Sequence, residues 1–226
     1  MSTLLVLAIL AARHSGNFEP EKVTFQYNFQ AGQTIHTDMK ISTQMNMGSS
    51  ETNLSVKTHV DAVGPDGSAT LTTSMDSGTM SMGSNKLHLP GMGRKYQMTV
   101  SKFGKIVLKK DARATVVVQE FPENPIEVGG SWDGTINING GKTSIAVTSH
   151  FTLESVKTVD GHKIAHLLVE EDNTQGDSDI KIKATGWLDW DVNQSYPVSG
   201  HTEGDQLIGK MTVHFVSDQS ASVEQG

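Results

Sequence analysis

The residues best suited to chemistry in this chain are its methionines. Eight of the ten fall between Met39 and Met98, with Met-x-Met at 45–47 and again at 80–82. Thioethers are soft ligands that suit Cu(I), and in an extended chain a Met-x-Met pair puts both sulfurs on one side. The glycine-rich stretch DSGTMSMGSNKLHLPGMG (76–93) adds His88 and Met92 to Met80 and Met82, which makes these four the candidate copper set. Methionine also fills irregular apolar space, because its side chain is flexible and unbranched. Met39, Ile41, Met45 and Met47 alternate with Lys40, Ser42, Gln44 and Asn46, as core or groove residues do. We expect those four to line a face that takes an acyl chain or another apolar ligand, with copper binding as the lesser alternative.

Other reactive side chains do not converge in the sequence. His162 and His166 share a strand face, yet positions i and i+4 of a strand lie about 13 Å apart, too far to clasp one metal. The remaining histidines are scattered, with no HxH or HExxH. Asp177/Asp179 and Asp189/Asp191 form Asp-x-Asp pairs without the twelve-residue calcium loop that would use them. There is no GxSxG elbow, no GxGxxG and no GxxxxGK[ST]. The absence of cysteine removes disulfides, thiolate metal sites and thiol nucleophiles together. The expectation is a binding protein with no catalytic residues and no cofactor.

Charge is unevenly spread. The formal net charge is −7, but Lys86 to Arg113 is basic, with Asp111 its one acid. The stretch from Glu170 to Asp205 is the reverse. Within the basic stretch, Lys102, Lys105, Lys109 and Lys110 are the candidate contacts for an acidic protein partner or an anionic lipid surface. Nucleic acid is excluded as a partner by the acidic total and by the poverty of aromatics among the basic residues. Trp187 and Trp190, three apart on a strand, must face opposite sides unless a bulge intervenes. One belongs in the core, and we assign Trp190 to the partner surface, where large aromatics dominate binding.

The elements that must position these residues are strands. Period-two alternation runs through 38–47, 53–63, 68–75, 141–156, 162–169, 179–192 and 206–216, the mark of half-buried strands. Asp-Gly pairs at 66–67 and 160–161 and NGG at 139–141 read as hairpin turns. One stretch differs: the apolar spacing over 108–120 predicts a helix, ended by Pro122 and Pro125. The phrase AGQTI (31–35) matches VGGSW (128–132), each opening a strand, a glycine-rich tip, a second strand and an Asp-Gly turn. This order predicts two copies of one β-meander, over 23–107 and 122–216, joined by the helix. The fold expected is therefore mainly β: an antiparallel half-barrel or sandwich in one domain spanning 16–226. Residues 1–15, with the apolar run Leu4–Ala12, have the length of an export signal and are too short to span a bilayer.

Four stretches carry a resemblance: YNFQAGQTIHTDMKISTQMNM (27–47), the repeated VxxVxxDG junction, FPENPIEVGGSW (121–132) and GWLDWDVNQ (186–194). In these the chain resembles a family of exported bacterial envelope proteins of unknown function with a duplicated β-meander. Its layout is similar, more coarsely, to the half-barrels of periplasmic lipoprotein carriers. The resemblance implies a periplasmic or extracellular location. It implies no activity, and lipid anchoring does not carry over without the cysteine. The functional expectation is a structural or interaction subunit of the envelope, docked on a membrane-associated complex, with the apolar-ligand carrier and the Cu(I) protein as alternatives.

Overall fold

The computed structural model describes residues 21–46, 48–109, 118–140, 143–173 and 180–224. Among these there is no helix. The strands are β1 (Lys22–Val23), β2 (Thr34–Met45), β3 (Gly48–Val63), β4 (Ala69–Met82), β5 (Asn85–His88), β6 (Lys95–Val100) and β7 (Ile106–Lys109). They continue as β8 (Ile126–Glu127), β9 (Ser131–Gly140), β10 (Thr143–Val159), β11 (His162–Asp172), β12 (Ile180–Asp191), β13 (Tyr196–Ile208) and β14 (Met211–Glu224). Apart from the short pair β1–β8, they form one open antiparallel sheet in the order β7-β6-β4-β3-β2-β14-β13-β12-β11-β10-β9, with β5 paired to β4. The run β9 to β14 thus meets the run β2 to β7 along a single seam, β14 beside β2.

The turns follow local chemistry. Asp160 and Gly161 both take positive φ (51° and 83°) between Val159 and His162, the two-residue hairpin that an Asp-Gly pair favours. Residues 108–109, the start of the predicted helix, are extended instead. Ile106–Lys109 finds a lateral partner in β6, which satisfies its backbone groups as sheet. Residues 118–120 are irregular, and 110–117 lie outside the described residues, as do 1–15.

One face of the sheet carries the core. Alternation on β11 buries Ala165, Leu167 and Val169, and on β12 it buries Ile182, Ala184, Leu188 and Trp190. Register continues that face across β10 through Phe151 and Leu153, and across the seam through Phe215 to Thr43 and Gln219 to Met39. Over β9–β12 the face is covered by the chain on either side of β1 and β8. Phe25, Tyr27 and Phe121 pack there against Trp132, Phe151 and Trp190, the Phe121 ring meeting Trp190 edge-on at 4.5 Å. Tyr27 Oη accepts from the Gln119 amide at 3.1 Å and sits fully buried, which pushes its pKa up strongly. A second cluster, Val60, Ala69, Leu71, Met98 and Val100, fills the same face over β3, β4 and β6. Phe29 and Val118 touch both clusters, so this aromatic plug ties the two ends of the sheet together.

A small device occurs twice. Gly32 (φ 88°) donates to the Val60 carbonyl at 2.9 Å, and Val60 donates back to Gln33 at 2.9 Å. Gly129 (φ 87°) donates to Leu153 at 2.7 Å, and Leu153 donates back to Gly130 at 3.0 Å. Val60 and Leu153 are both fully buried, and a bulge follows each at once. In both places a left-handed glycine lets the incoming chain turn onto the strand it will lie beside.

Candidate ligand-binding face

The site is built by what the plug leaves bare. Among the strands, β14, β2 and β3 touch chiefly their lateral neighbours, and β3 meets the plug at Val60. Of their core-facing side chains Val213, Ser50 and Val60 are buried, while Ile35, Met39 and Ile41 on β2, Leu54 and Val56 on β3, and Phe215 on β14 are half-buried. Register sets Met39 opposite Leu54, and Ile41 opposite Thr52, which in turn opposes Met80 on β4. The result is a mixed strip about four strands wide, or roughly 15–20 Å at the usual strand spacing, in which Met39, Ile41, Leu54 and Met80 alternate across the strands with Thr43, Thr52, Ser217 and Gln219. Alternation on β2 sends Lys40, Ser42 and Gln44 to the other face, as the sequence pattern required.

Beside this strip the sheet bends sharply along β12–β13. A Cβ on Gly186 would fall inside contact distance of the His201 carbonyl oxygen. On Gly204 it would collide with the Lys183 carbonyl and with Ala184 Cβ, and on Gly200 it would meet Gln219 Nε2 at 2.8 Å. Register places all three on the core face, beside Ala184 and Leu188. Side chains converge on the inside of a bend, so glycine alone fits there. The crease is therefore concave on the core side, with Phe215 lying against Val147, Ile182 and Ala184 at its wall.

One acid stands on this otherwise uncharged wall. Glu171 follows Ala165, Leu167 and Val169 in the alternation of β11, with Ser149 opposite on β10 and Ala184 opposite on β12. Burial pushes its carboxyl above the usual range. The Ser149 hydroxyl is fully buried and, among the described residues, has no hydrogen-bond partner; Trp190 Nε1 is the other such atom. From β10 across to β6 the only other charge on the core face among the described residues is Lys163, which is ion-paired with Glu21 at the far end of β11.

The opposite face is polar and carries cross-strand histidine–carboxylate pairs. His150 Nδ1 meets Asp133 at 2.7 Å, His166 Nδ1 meets Asp189 at 2.6 Å and His201 Nδ1 meets Asp218 at 2.7 Å. Trp187 stands between His166 and His201 with its ring stacked on both, at 5.6 and 6.4 Å. Lys40 reaches Glu51 at 2.8 Å, raising the lysine pKa and lowering that of the acid through the shared hydrogen bond. Exposed pairs of this kind contribute little stability. Among the described residues no group of three or more His, Asp or Glu could hold a metal.

The residues singled out from the sequence are distributed as follows. Met39, Ile41 and Met45 share the core face, and Met47 lies outside the described residues. Met80 and Met82 also point to the core face, but His88 pairs with Thr79 and faces the other way, while Met92 is exposed in a turn. Trp190 is 1 % exposed and belongs to the plug's floor, so it cannot meet a partner. Trp187 is the tryptophan on the other face. Lys102 is half-buried, with its ammonium 5.0 Å above the Phe103 ring, and Lys105 is exposed. Lys109 is in β7, and Lys110 lies outside the described residues. Glu171 and Ser149 were missed, although counting alternate positions in HKIAHLLVEED already puts Glu171 with the core set. The histidine–carboxylate pairs needed strand register, which the sequence does not carry.

No family model and no curated protein matches the chain. Among solved structures it is similar to a protein of Bacteroides fragilis NCTC 9343, put forward as exported and as having a YmcC-like fold. The identity is 12 %, over 89 % of this chain and 99 % of that one, with a TM-score of 0.46. The likeness is too loose to assign a function.

Proposed function

We propose that this is a non-catalytic binding protein of the bacterial envelope, whose uncovered core face takes the hydrocarbon part of an amphiphile. The observation that carries this reading is the half-buried set Ile35, Met39, Ile41, Leu54, Val56 and Phe215 across β14, β2 and β3, lying between two buried cores. A sheet normally buries such a face against another layer, and large contiguous apolar surfaces mark binding sites. Methionine at Met39 and Met80 supplies a lining that adapts to flexible chains. The test is native mass spectrometry of protein purified from its own host, followed by binding of a fluorescent long-chain probe. Bound lipid mass, and loss of probe binding in Ile41→Lys and Leu54→Lys, are expected. Unchanged probe affinity in both variants would refute the assignment of the face.

Docking on a membrane-associated complex is the second reading, and one end of the sheet favours it. Exposed Leu87 (58 %) follows exposed Lys86 on β5 beside the last residues of β4, and exposed Val107 (64 %) follows exposed Lys105 by the β7 edge, beside the first residues of β4. Basic residues interleaved with apolar ones suit an anionic surface. Reversing the charge of Lys86, Lys95 and Lys105 is expected to release the protein from envelope extracts, and full retention would count against docking.

A further inference from the structure

We propose that three neighbouring hairpin tips along one rim of the sheet rest on an anionic phospholipid bilayer and bury their apolar side chains in it. This rests on the docking reading above and names the bilayer itself as the partner. The tips are 45–48 between β2 and β3, 82–85 between β4 and β5, and 208–211 between β13 and β14. Because β4 pairs with β3 and β14 with β2, the three turns close side by side, about 10 Å from one to the next. Register also sets their heights. Met82 stands level with Thr43 of β2 through Ser50, the second tip closes at Met45, and Met211 lies three residues beyond the level of Gln44. Each tip thus reaches two residues further than the one before. A step of two residues over two strand spacings is a slope of about 35°, the tilt that strands take when a sheet curls towards a barrel. The tips therefore end in one plane across the curled sheet, as contact with a flat partner requires.

The chemistry of the tips suits that partner. Met82, Ile208 and Met211 are exposed by 45, 41 and 36 %, and Met45 is half-buried. Alternation puts all four on the core-facing side, so the rim is apolar along one side. The tip sequences MNMG, MGSN and IGKM contain no acid. Lys210 stands in one of them, and exposed Lys86 follows another on β5. Acids on the strands behind the tips are already held, Glu51 by Lys40 at 2.8 Å and Glu203 and Asp205 by His214 at 3.3 and 3.1 Å. Asp177 and Asp179, in the connection from β11 to β12, lie outside the described residues. The turns at the opposite rim differ: Asp66, Lys102, Lys105 and Asp160 stand in them, and such charges do not enter hydrocarbon unpaired. Apolar tips flanked by lysine fit a surface that is negative outside and hydrocarbon beneath. A protein partner must match the shape of the rim, whereas a bilayer takes any coplanar set of apolar tips.

Flotation of the full chain with protein-free vesicles tests this, comparing phosphatidylethanolamine and phosphatidylglycerol at about 3:1 with phosphatidylcholine alone. Wild type is expected to float with the anionic vesicles and to partition at least about fivefold less onto phosphatidylcholine. Met82→Asp, and Ile208→Asp combined with Met211→Asp, should each weaken partition at least about tenfold. Lys210→Glu should weaken it on the anionic vesicles only, and Val63→Asp at the opposite rim should change it by less than about twofold. Because the chain has no cysteine, Met211→Cys takes a single nitrobenzoxadiazole label. Its emission should move to the blue on anionic vesicles, while the same label at Val63→Cys stays unshifted, a readout that does not depend on the aspartate variants folding. Tip variants that float like wild type, an equal loss from Val63→Asp, or an unshifted label at Met211→Cys would overturn the proposal. A wild type that ignores vesicles yet is held in envelope extracts would overturn the bilayer contact and leave docking on a protein standing. A wild type held by neither would overturn both.

Discussion

Alanine at Gly204 is the sharpest test of the crease. In an ordinary strand, replacing glycine by alanine stabilises by about 0.5–1 kcal/mol, because the unfolded chain loses freedom. At Gly204 a Cβ would lie well inside contact distance of the Lys183 carbonyl oxygen and the Ala184 Cβ. Both atoms are fixed to the backbone, so the strands must part instead of a side chain swinging aside. Forcing a methyl into a filled interior costs about 1–3 kcal/mol, which outweighs the gain and leaves a net loss of about 1–2 kcal/mol. For a chain of this size each kcal/mol moves Tm by about 2–4 °C, so Gly204→Ala should melt about 2–8 °C below wild type. Gly78 is the control. Its added Cβ would meet Met75 Sδ, the far end of a flexible side chain, at 2.9 Å, and Leu89 Cβ at 3.1 Å, a contact that a shift of a few tenths of an ångström relieves. Gly78→Ala should therefore stay within about 2 °C of wild type. Circular-dichroism melts read both. A Tm at or above wild type for Gly204→Ala, or an equal drop at Gly78, would show that the bend does not depend on glycine.

Two further outcomes follow from the buried groups. Phe121→Ala removes a ring that meets Phe25, Tyr27, Trp132 and Trp190. It should cost about 3–5 kcal/mol and lower Tm by about 6–20 °C in calorimetry; a fall under about 4 °C would mean the plug contributes little. For Glu171 the sign is set by burial, which raises the folded pKa above the unfolded one. The stability this acid contributes is complete below the unfolded value and lost as pH rises through the folded one. Glu171→Gln keeps the neutral form at all pH, so it should melt higher than wild type at pH 8 and level with it at pH 4. Identical melts at pH 8 would contradict the burial argument.

Much of the fold was legible because strand alternation is a local property. The split of Met39 and Ile41 from Lys40 and Ser42 followed directly, and so did the turn at Asp160–Gly161. Trp190 was misplaced because two tryptophans three apart must diverge, and nothing local says which of them turns inward. That choice is made by Phe25, Tyr27 and Phe121, which arrive from distant parts of the chain. Residues 108–109 were read as helix from side-chain spacing alone, whereas pairing with β6 decided their backbone. The crease was hidden for a similar reason. Nothing local distinguishes Gly186, Gly200 and Gly204 from other strand glycines; the adjacent strands do.

The seam at β14 has a bearing on how the molecule is made. β14 is synthesised after every other strand of the sheet, yet it is the lateral link between β13 and β2. A nascent chain emerging from the ribosome therefore holds two partial sheets with exposed long edges at β13 and β2, a state prone to wrong pairing. Insertion of the last strand fills the gap between those edges and completes the strip in the same step. Ligand capture should then begin only once β14 has paired with both edges.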